Sequence, residues 1–367
     1  MDKVAVLGAG PAGIAMAARI ASKGYDVSLF ELPGFQGSAD RVQRISEQGG
    51  VHVEGEFPQE FVRLPIVTTD AEKGLRGRDI YLIGVPGFAQ SGMMKAVIPY
   101  LRRGSLVTFC SGSSGTLAAY KEFSGAGLDF VNAVHLAETV TMPQSARFVE
   151  DGRIKVALGE TQVRTAAFPS RNTDAVLERL APLIRVKRAV HCLDVGLNNP
   201  NFIIHPAPMV LNFAECERRE GLLSLMNEGM TPAVLTCMDA VDQEKQALLR
   251  ELEAEPIDVD SLYREFGSSP DVYRKQGEPF AMKRPDRIWP RYTKEDVPYG
   301  MVQMASLGDL LGVATPMCHA IVTILSVAEH VNYWEIGRTA EKLGLVGLSA
   351  AEIIAYVRSG HRGGNAP

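Results

Sequence analysis

Cysteine is scarce in this 367-residue chain. There are five (Cys110, Cys192, Cys216, Cys237 and Cys318), scattered and without C-x-x-C spacing. An odd, dispersed set excludes a disulfide framework, and reduced core residues in a cytoplasmic protein are expected instead. Long apolar runs are missing too. None approaches the roughly 20 residues of a membrane span, so no membrane partner is expected. Basic residues are not in excess: 38 Lys and Arg stand against 43 Asp and Glu, for a net charge of −5. No basic stripe stands out, which argues against nucleic acid as a partner. The chain opens directly on a strand, so no signal peptide is expected. No internal repeat, low-complexity segment or metal-ligand spacing of His, Asp, Glu and Cys is found, and no metal is expected. The remaining composition, 46% apolar and 22% charged, is that of a soluble protein long enough for two domains.

What the sequence does have is concentrated in its first thirty-one residues. Val4 to Leu7 reads as a short buried strand and is followed by Gly8-Ala-Gly10-Pro11-Ala12-Gly13 and an apolar helical run to about Lys23. Val27 to Phe30 reads as the next strand, and Glu31 ends it, eighteen residues after Gly13. In a G-x-G-x-x-G turn, the first glycine allows the tight turn. The second lets the backbone approach a pyrophosphate, and the third lets helix pack on strand. The helix N-terminus then offers free N–H groups and partial positive charge to the phosphates. Glu31 stands where a carboxylate accepts hydrogen bonds from an adenosine ribose. A dinucleotide site follows, with NAD(H) favoured over NADP(H) because a carboxylate repels a 2′-phosphate. Arg41 and Arg44 follow closely and supply the charge that would hold that phosphate instead.

The rest of the first half alternates. A helix is expected over Asp40–Gln48, two or three short strands within Val51–Val67, and a buried strand over Asp79–Val85 that runs into Pro86. A helix follows, then a strand over Ser105–Cys110 and the loop Ser111–Gly115. Further strands are expected at Leu128–Val134, Ile154–Leu158 and Val186–Val190, with a helix over Thr173–Ile184. This alternation predicts an α/β fold with a Rossmann-type, doubly wound, mostly parallel sheet. Ligands then bind beyond the carboxyl ends of the strands, where the turn at Gly8–Gly13, the loop at Val85 and Pro86, and Ser111–Gly115 all fall. From Ile203 onward the spacing is helical (Ile204–Arg219, Thr231–Glu253, Met301–Gly312, Met317–Tyr333, Ala350–Arg358), so an all-α C-terminal domain is expected. The expected divisions are 1–194, 195–360 and a disordered tail, 361–367. Ser268–Pro298 reads as a long Pro-rich, charged connection, and such loops are often functional.

A dinucleotide site needs a group that moves protons. His205 stands out among seven histidines, in Asn198-Asn199-Pro200-Asn201-Phe202-Ile203-Ile204-His205-Pro206, where a cleft between two domains would fall. Read from composition alone, a capping cluster around one buried histidine is the plainer reading of this stretch. Arg291-Tyr-Thr-Lys-Glu-Asp296-Val-Pro298 is the second stretch. An Arg binds a carboxylate through two parallel bonds, and an Asp fixes an imidazole tautomer; a charged loop before a helix start is the plainer alternative.

With these stretches the chain resembles the octopine/nopaline (opine) dehydrogenase family, whose relatives include bacterial N-(1-carboxyethyl)norvaline dehydrogenase. The resemblance spans nearly the whole chain. It is carried by the glycine turn, by Asn201–Asn212, similar to an N-x-x-x-H-P block, and by Arg291–Gly300, similar to an R-x-x-x-E-D-[VI]-P segment, with Leu311–Pro316 behind it. It implies a helical domain of the 6-phosphogluconate dehydrogenase-like kind. It further implies His205 as catalytic residue, Asp296 as its partner, Asn201 as a polar residue one helical turn earlier, and Arg291 as the anchor for a 2-oxo acid carboxylate. Thr141 falls in a T-[LM]-P segment near the substrate. The implied reaction is reductive condensation of a 2-oxo acid, pyruvate first, with an amino acid at the expense of NAD(P)H. Apart from the resemblance, apolar helix faces such as Met317–Val331 suit either core or a dimer surface, and a homodimer is expected. A simple 2-oxo or 2-hydroxy acid dehydrogenase, or an imine reductase, would need no such amine partner. A noncatalytic NAD(P)-binding regulator would bind cofactor without turnover. The chain departs from several relatives at Pro11-Ala12, where they have Asn and a small residue. Gly-Ala-Gly-Pro-Ala-Gly also occurs in flavin enzymes. Those need a late Gly-Asp motif after a strand, whereas Gly308-Asp309 lies in a helical context.

Overall fold

The computed structural model describes residues 2–34, 37–150, 152–221, 223–275 and 289–362, with Leu158 and Trp289–Arg291 described by their backbone alone. Two compact units emerge, one running to Gly196 with Tyr356–His361 added, the other Leu197–Ala355.

The first unit is α/β. Its strands are β1 (Val4–Leu7), β2 (Val27–Phe30), β3 (Gly50–Gly55), β4 (Phe61–Arg63), β5 (Ile66–Thr68), β6 (Ile80–Ile83), β7 (Leu106–Phe109), β8 (His135–Thr139), β9 (Ser145–Glu150), β10 (Arg153–Leu158), β11 (Val163–Phe168) and β12 (Val186–Arg188). Its helices are α1 (Pro11–Ser22), α2 (Ser38–Gln48), α3 (Ala71–Leu75), α4 (Gly87–Val97), α5 (Gly115–Phe123) and α6 (Thr173–Leu180), and α7 (Cys192–Leu197) ends it. Eight strands form the main sheet in the order β12-β11-β8-β7-β6-β1-β2-β5. Every ladder in it is parallel except β8–β11. All residues of β1, β2, β6 and β7 are buried, as strands covered on both faces must be. The order reverses between β1 and β6, which puts a crevice at their carboxyl ends.

A second, four-stranded sheet, β4-β3-β10-β9, packs on α1. Three strands do fall within Val51–Val67, yet only β5 joins the main sheet. From Val51 to Glu54 in β3, and through β4, buried and exposed positions alternate, the pattern of a sheet with one wet face. Enclosed between this sheet and β1–β2, α1 is buried from Gly13 to Ala18 and again at Ile20. The expected strand at Leu128–Val134 is a turn instead, and the strand begins at His135. The Asp129 carboxylate accepts the N–H groups of Val131 and Asn132, which draws the backbone out of extended form.

The second unit is helical: α8 (Asn201–Ile204), α9 (Pro206–Arg218), α10 (Leu225–Glu228), α11 (Pro232–Glu251), α12 (Val259–Glu265), α13 (Asp271–Arg274), α14 (Trp289–Lys294), α15 (Val302–Leu311), α16 (Pro316–Ala328), α17 (Tyr333–Ile336) and α18 (Ala350–Ser359), whose last turn belongs to the first unit. Within Ser268–Pro298, expected to be a connection, α13 and α14 are helical and 276–288 lie outside the described residues. Of the expected tail, 363–367 also lie outside them.

A buried ion pair fastens two helices of this unit. Lys245 on α11 sits 2.6 Å from Asp242 and donates to the Ile257 carbonyl at 2.7 Å. Burial pulls the lysine below its ordinary pKa, and Asp242 opposes that pull. Asp242 also accepts the Val259 N–H, so the pair fastens the start of α12 to α11. Removing one partner strands a buried charge. Asp242→Ala should cost about 3–5 kcal/mol by denaturant unfolding, and pairing it with Lys245→Met should recover most of that loss.

Candidate active site

The glycine turn is built by backbone contact. Gly8 has φ of +112°, and a Cβ there would lie 2.6 Å from the Gly84 carbonyl oxygen and 2.7 Å from Val85. A Cβ at Gly13 would lie 2.1 Å from the Gly8 carbonyl oxygen. At Gly10 nothing lies within 4 Å of that position. Pro11 takes the first helical position, where a missing N–H costs nothing, and no side chain caps α1. Open space over Gly10 at the positive end of α1 fits a dinucleotide diphosphate. Val85 and Pro86 lead from β6 into α4, so Gly8 and Val85 meet at one edge.

Glu31 follows β2 as expected, but its carboxylate is turned into the fold. It is 4% exposed and accepts the N–H of Ala9 at 2.8 Å and of Leu32 at 2.9 Å. Burial pushes its pKa up, against those two bonds and Arg41. Arg41 donates to the Ala9 carbonyl at 3.1 Å, with its guanidinium 4.2 Å from the Phe148 ring centroid.

Sequence reasoning did not anticipate how the neighbouring loops are tied together. The Gln90 amide, on α4, donates to the carbonyls of Ser111 and Gly112. Fully buried Glu138, at β8, accepts from the Gly115 N–H and the Thr116 hydroxyl. Ser111, Ser113 and Ser114 all have positive φ. Left-handed serines persist where surrounding contacts over-determine them. Thr141 lies just past β8 in this unit, its carbonyl accepting the Thr139 hydroxyl at 2.7 Å.

The second unit brings His205 and Asp296 together. His205 links α8 to α9, and its N–H donates to the Asn201 carbonyl, so Asn201 stands one turn earlier. Asp296 follows α14 and opens a π-helical turn, Val297–Met301, where a charged loop had been the plainer expectation. His205 Nδ1 lies 2.7 Å from Asp296 Oδ2, and both side chains are buried. Tyr292 stacks on the imidazole with centroids 3.8 Å apart and planes 23° apart. Nothing in the sequence reading singled out Tyr292. The usable signal is its place four residues before Asp296, on the same helical face. Arg291 falls on α14, but its side chain lies outside the described residues. An Nδ1–H donated to Asp296 would fix the ring in the tautomer whose Nε2 accepts a proton.

All five cysteines are free thiols. Among the described residues, no group of three or more His, Cys, Asp and Glu could hold a metal, and no helix is long and apolar enough to cross a membrane. Gly308-Asp309 lies within α15, and Asp309 pairs with His319 at 3.1 Å, so no strand-borne flavin motif forms there.

Residues 188–329 match the model of the family described as NAD/NADP octopine/nopaline dehydrogenase, alpha-helical domain. The opine dehydrogenase of Arthrobacter sp. (strain 1C) is 29% identical over 362 residues, covering 96% of this chain and 98% of that protein. The structure of octopine dehydrogenase with NADH and L-arginine superposes with a TM-score of 0.74 at 19% identity, covering 100% of both chains. A second, with NADH and pyruvate, gives 0.73 at 19% identity and the same coverage. These two solved structures establish a shared fold. The protein is an NAD(P)-dependent oxidoreductase. Over residues 188–329 it resembles the octopine/nopaline (opine) dehydrogenase family, and the Arthrobacter relative extends that likeness over nearly the whole chain.

The two inner glycines separate binding from packing. Gly10, with φ of −72° and open space, should accept Ala with stability within about 0.5 kcal/mol while losing affinity for reduced cofactor. Gly13→Ala should instead cost about 1–3 kcal/mol in thermal or denaturant unfolding.

Proposed function

We propose that the enzyme joins a 2-oxo acid to the amino group of an amino acid, using NAD(P)H, and runs the reverse cleavage. The amine adds to the keto carbon, water is lost, and hydride reduces the imine to an N-(1-carboxyalkyl) amino acid. The observation carrying this reading is the buried His205–Asp296 pair on a helical unit that resembles this family. A cofactor bound at the glycine turn would supply the hydride. His205, oriented by Asp296 and by the Tyr292 ring, gives a proton through Nε2 to the oxygen that leaves as water and takes one back in reverse. Arg291 anchors the oxo acid carboxylate, and Asn201 and Thr141 contact substrate. Pyruvate and an amino acid such as arginine are the substrates to try first, because octopine dehydrogenase structures hold pyruvate and L-arginine. Glu31 taken alone favours NAD(H), although both its oxygens already serve the backbone. The same reading makes the enzyme cytoplasmic, where thiols stay reduced, and homodimeric, to be checked by sedimentation.

The test is oxidation of NADH or NADPH with pyruvate, 2-oxoglutarate or glyoxylate, each with and without a panel of amino acids. Turnover should require both an oxo acid and an amine. Oxidation with oxo acid alone would make this a hydroxy acid dehydrogenase and sink the reading. His205→Ala and Asp296→Asn should each lower kcat by about 10²–10⁴-fold while retaining cofactor binding. Unchanged turnover would remove the pair from the mechanism.

A further inference from the structure

We propose that Arg41 forms a subsite for the 2′-phosphate of NADP(H), and that Glu31 serves mainly to hold the glycine turn. The proposal rests on reading Gly8–Gly13 as the dinucleotide site and goes on to name which dinucleotide it accepts.

A carboxylate after the second strand selects NAD(H) when it faces the ribose 2′ position unaccompanied. Here it is enclosed and accompanied. One Glu31 oxygen accepts the Ala9 N–H, inside the turn, and the other the Leu32 N–H beyond the strand. The carboxylate is therefore a clasp between the turn and the end of β2.

Arg41 grips the other side of the same residue. Its guanidinium donates to the Ala9 carbonyl, whose N–H Glu31 holds. Ala9 is thus clamped between a carboxylate and a guanidinium, and Arg41 is close enough to oppose the burial that raises the Glu31 pKa. A phosphate arriving beside the turn meets a compensated carboxylate instead of a bare one. A guanidinium presents five donors in a planar fork that matches phosphate. This fork is also oriented in advance, because it lies over the Phe148 ring from β9. Arg44, exposed and three residues further along α2, adds positive charge on the same side of that helix. The second sheet thereby gains a role: it supplies the ring that fixes the fork.

Calorimetric titration with NADPH, NADH, 2′,5′-ADP and ADP tests the subsite without turnover. The wild-type protein should bind NADPH at least as tightly as NADH, and 2′,5′-ADP more tightly than ADP. Arg41→Ala should lower the NADPH-to-NADH affinity ratio by about 10–100-fold, and Arg41→Lys should lower it less, since charge remains but the fork is lost. An unchanged ratio in Arg41→Ala would overturn the proposal and leave Arg41 as a brace for the turn. Strong wild-type preference for NADH would overturn it as well. Binding of neither dinucleotide would instead overturn the reading of the glycine turn itself. Thermal melting of each variant, run alongside, separates lost affinity from lost fold.

Discussion

The first unit depends on backbone meeting backbone at the glycine turn. Gly13 lets α1 rest on the Gly8 carbonyl, and Gly8 in turn rests on the Gly84 carbonyl at the end of β6. No side chain fits at either contact. Because α1 lies this close, its small residues (Ala15, Ala17, Ala18) are fully buried and the second sheet can cover its outer side. The turn is held in two further ways, by Glu31 and Arg41 on Ala9 and by Val85 against Gly8. Steric contact and hydrogen bonding therefore define the same surface on which open space remains at Gly10.

The second unit is organised differently, around polar groups removed from water. His205 and Asp296 are buried together, and Lys245 and Asp242 are too. Such pairs gain little net stability over apolar replacements, because desolvation offsets attraction. They do penalise every arrangement that parts them. For Lys245 the result is a fastening between helices. For His205 it is one ring orientation, held between the Asp296 carboxylate and the Tyr292 ring.

Much of this was legible in the sequence. The strand–turn–helix–strand run at the N-terminus has a local cause, since three glycines and four-residue apolar strands leave few alternatives. The helical second half was legible from periodicity, and His205 with Asp296 from a motif resemblance. What escaped was set by distant partners. Strands β3 and β9 belong to one sheet although almost ninety residues separate them in sequence, and alternation alone does not say which sheet a strand joins. The turn at Leu128–Val134 was hidden because its apolar residues look like a strand while one Asp129 carboxylate decides the backbone. Glu31 was correctly placed by position, but its burial and its commitment to Ala9 depend on how the turn folds back, which composition does not encode.

The π-helical turn after Asp296 has a consequence for how this segment tolerates change. A π turn holds one more residue than an α turn, so Val297–Met301 behaves as a built-in insertion. Loss of a single residue there would leave an unbroken, well-bonded α-helix. It would also rotate Asp296 by roughly 100° about the axis relative to α15 and carry it away from His205. Substitutions in this stretch change what a side chain offers, whereas a one-residue deletion changes where the carboxylate is. The length of the segment is therefore constrained more tightly than its composition.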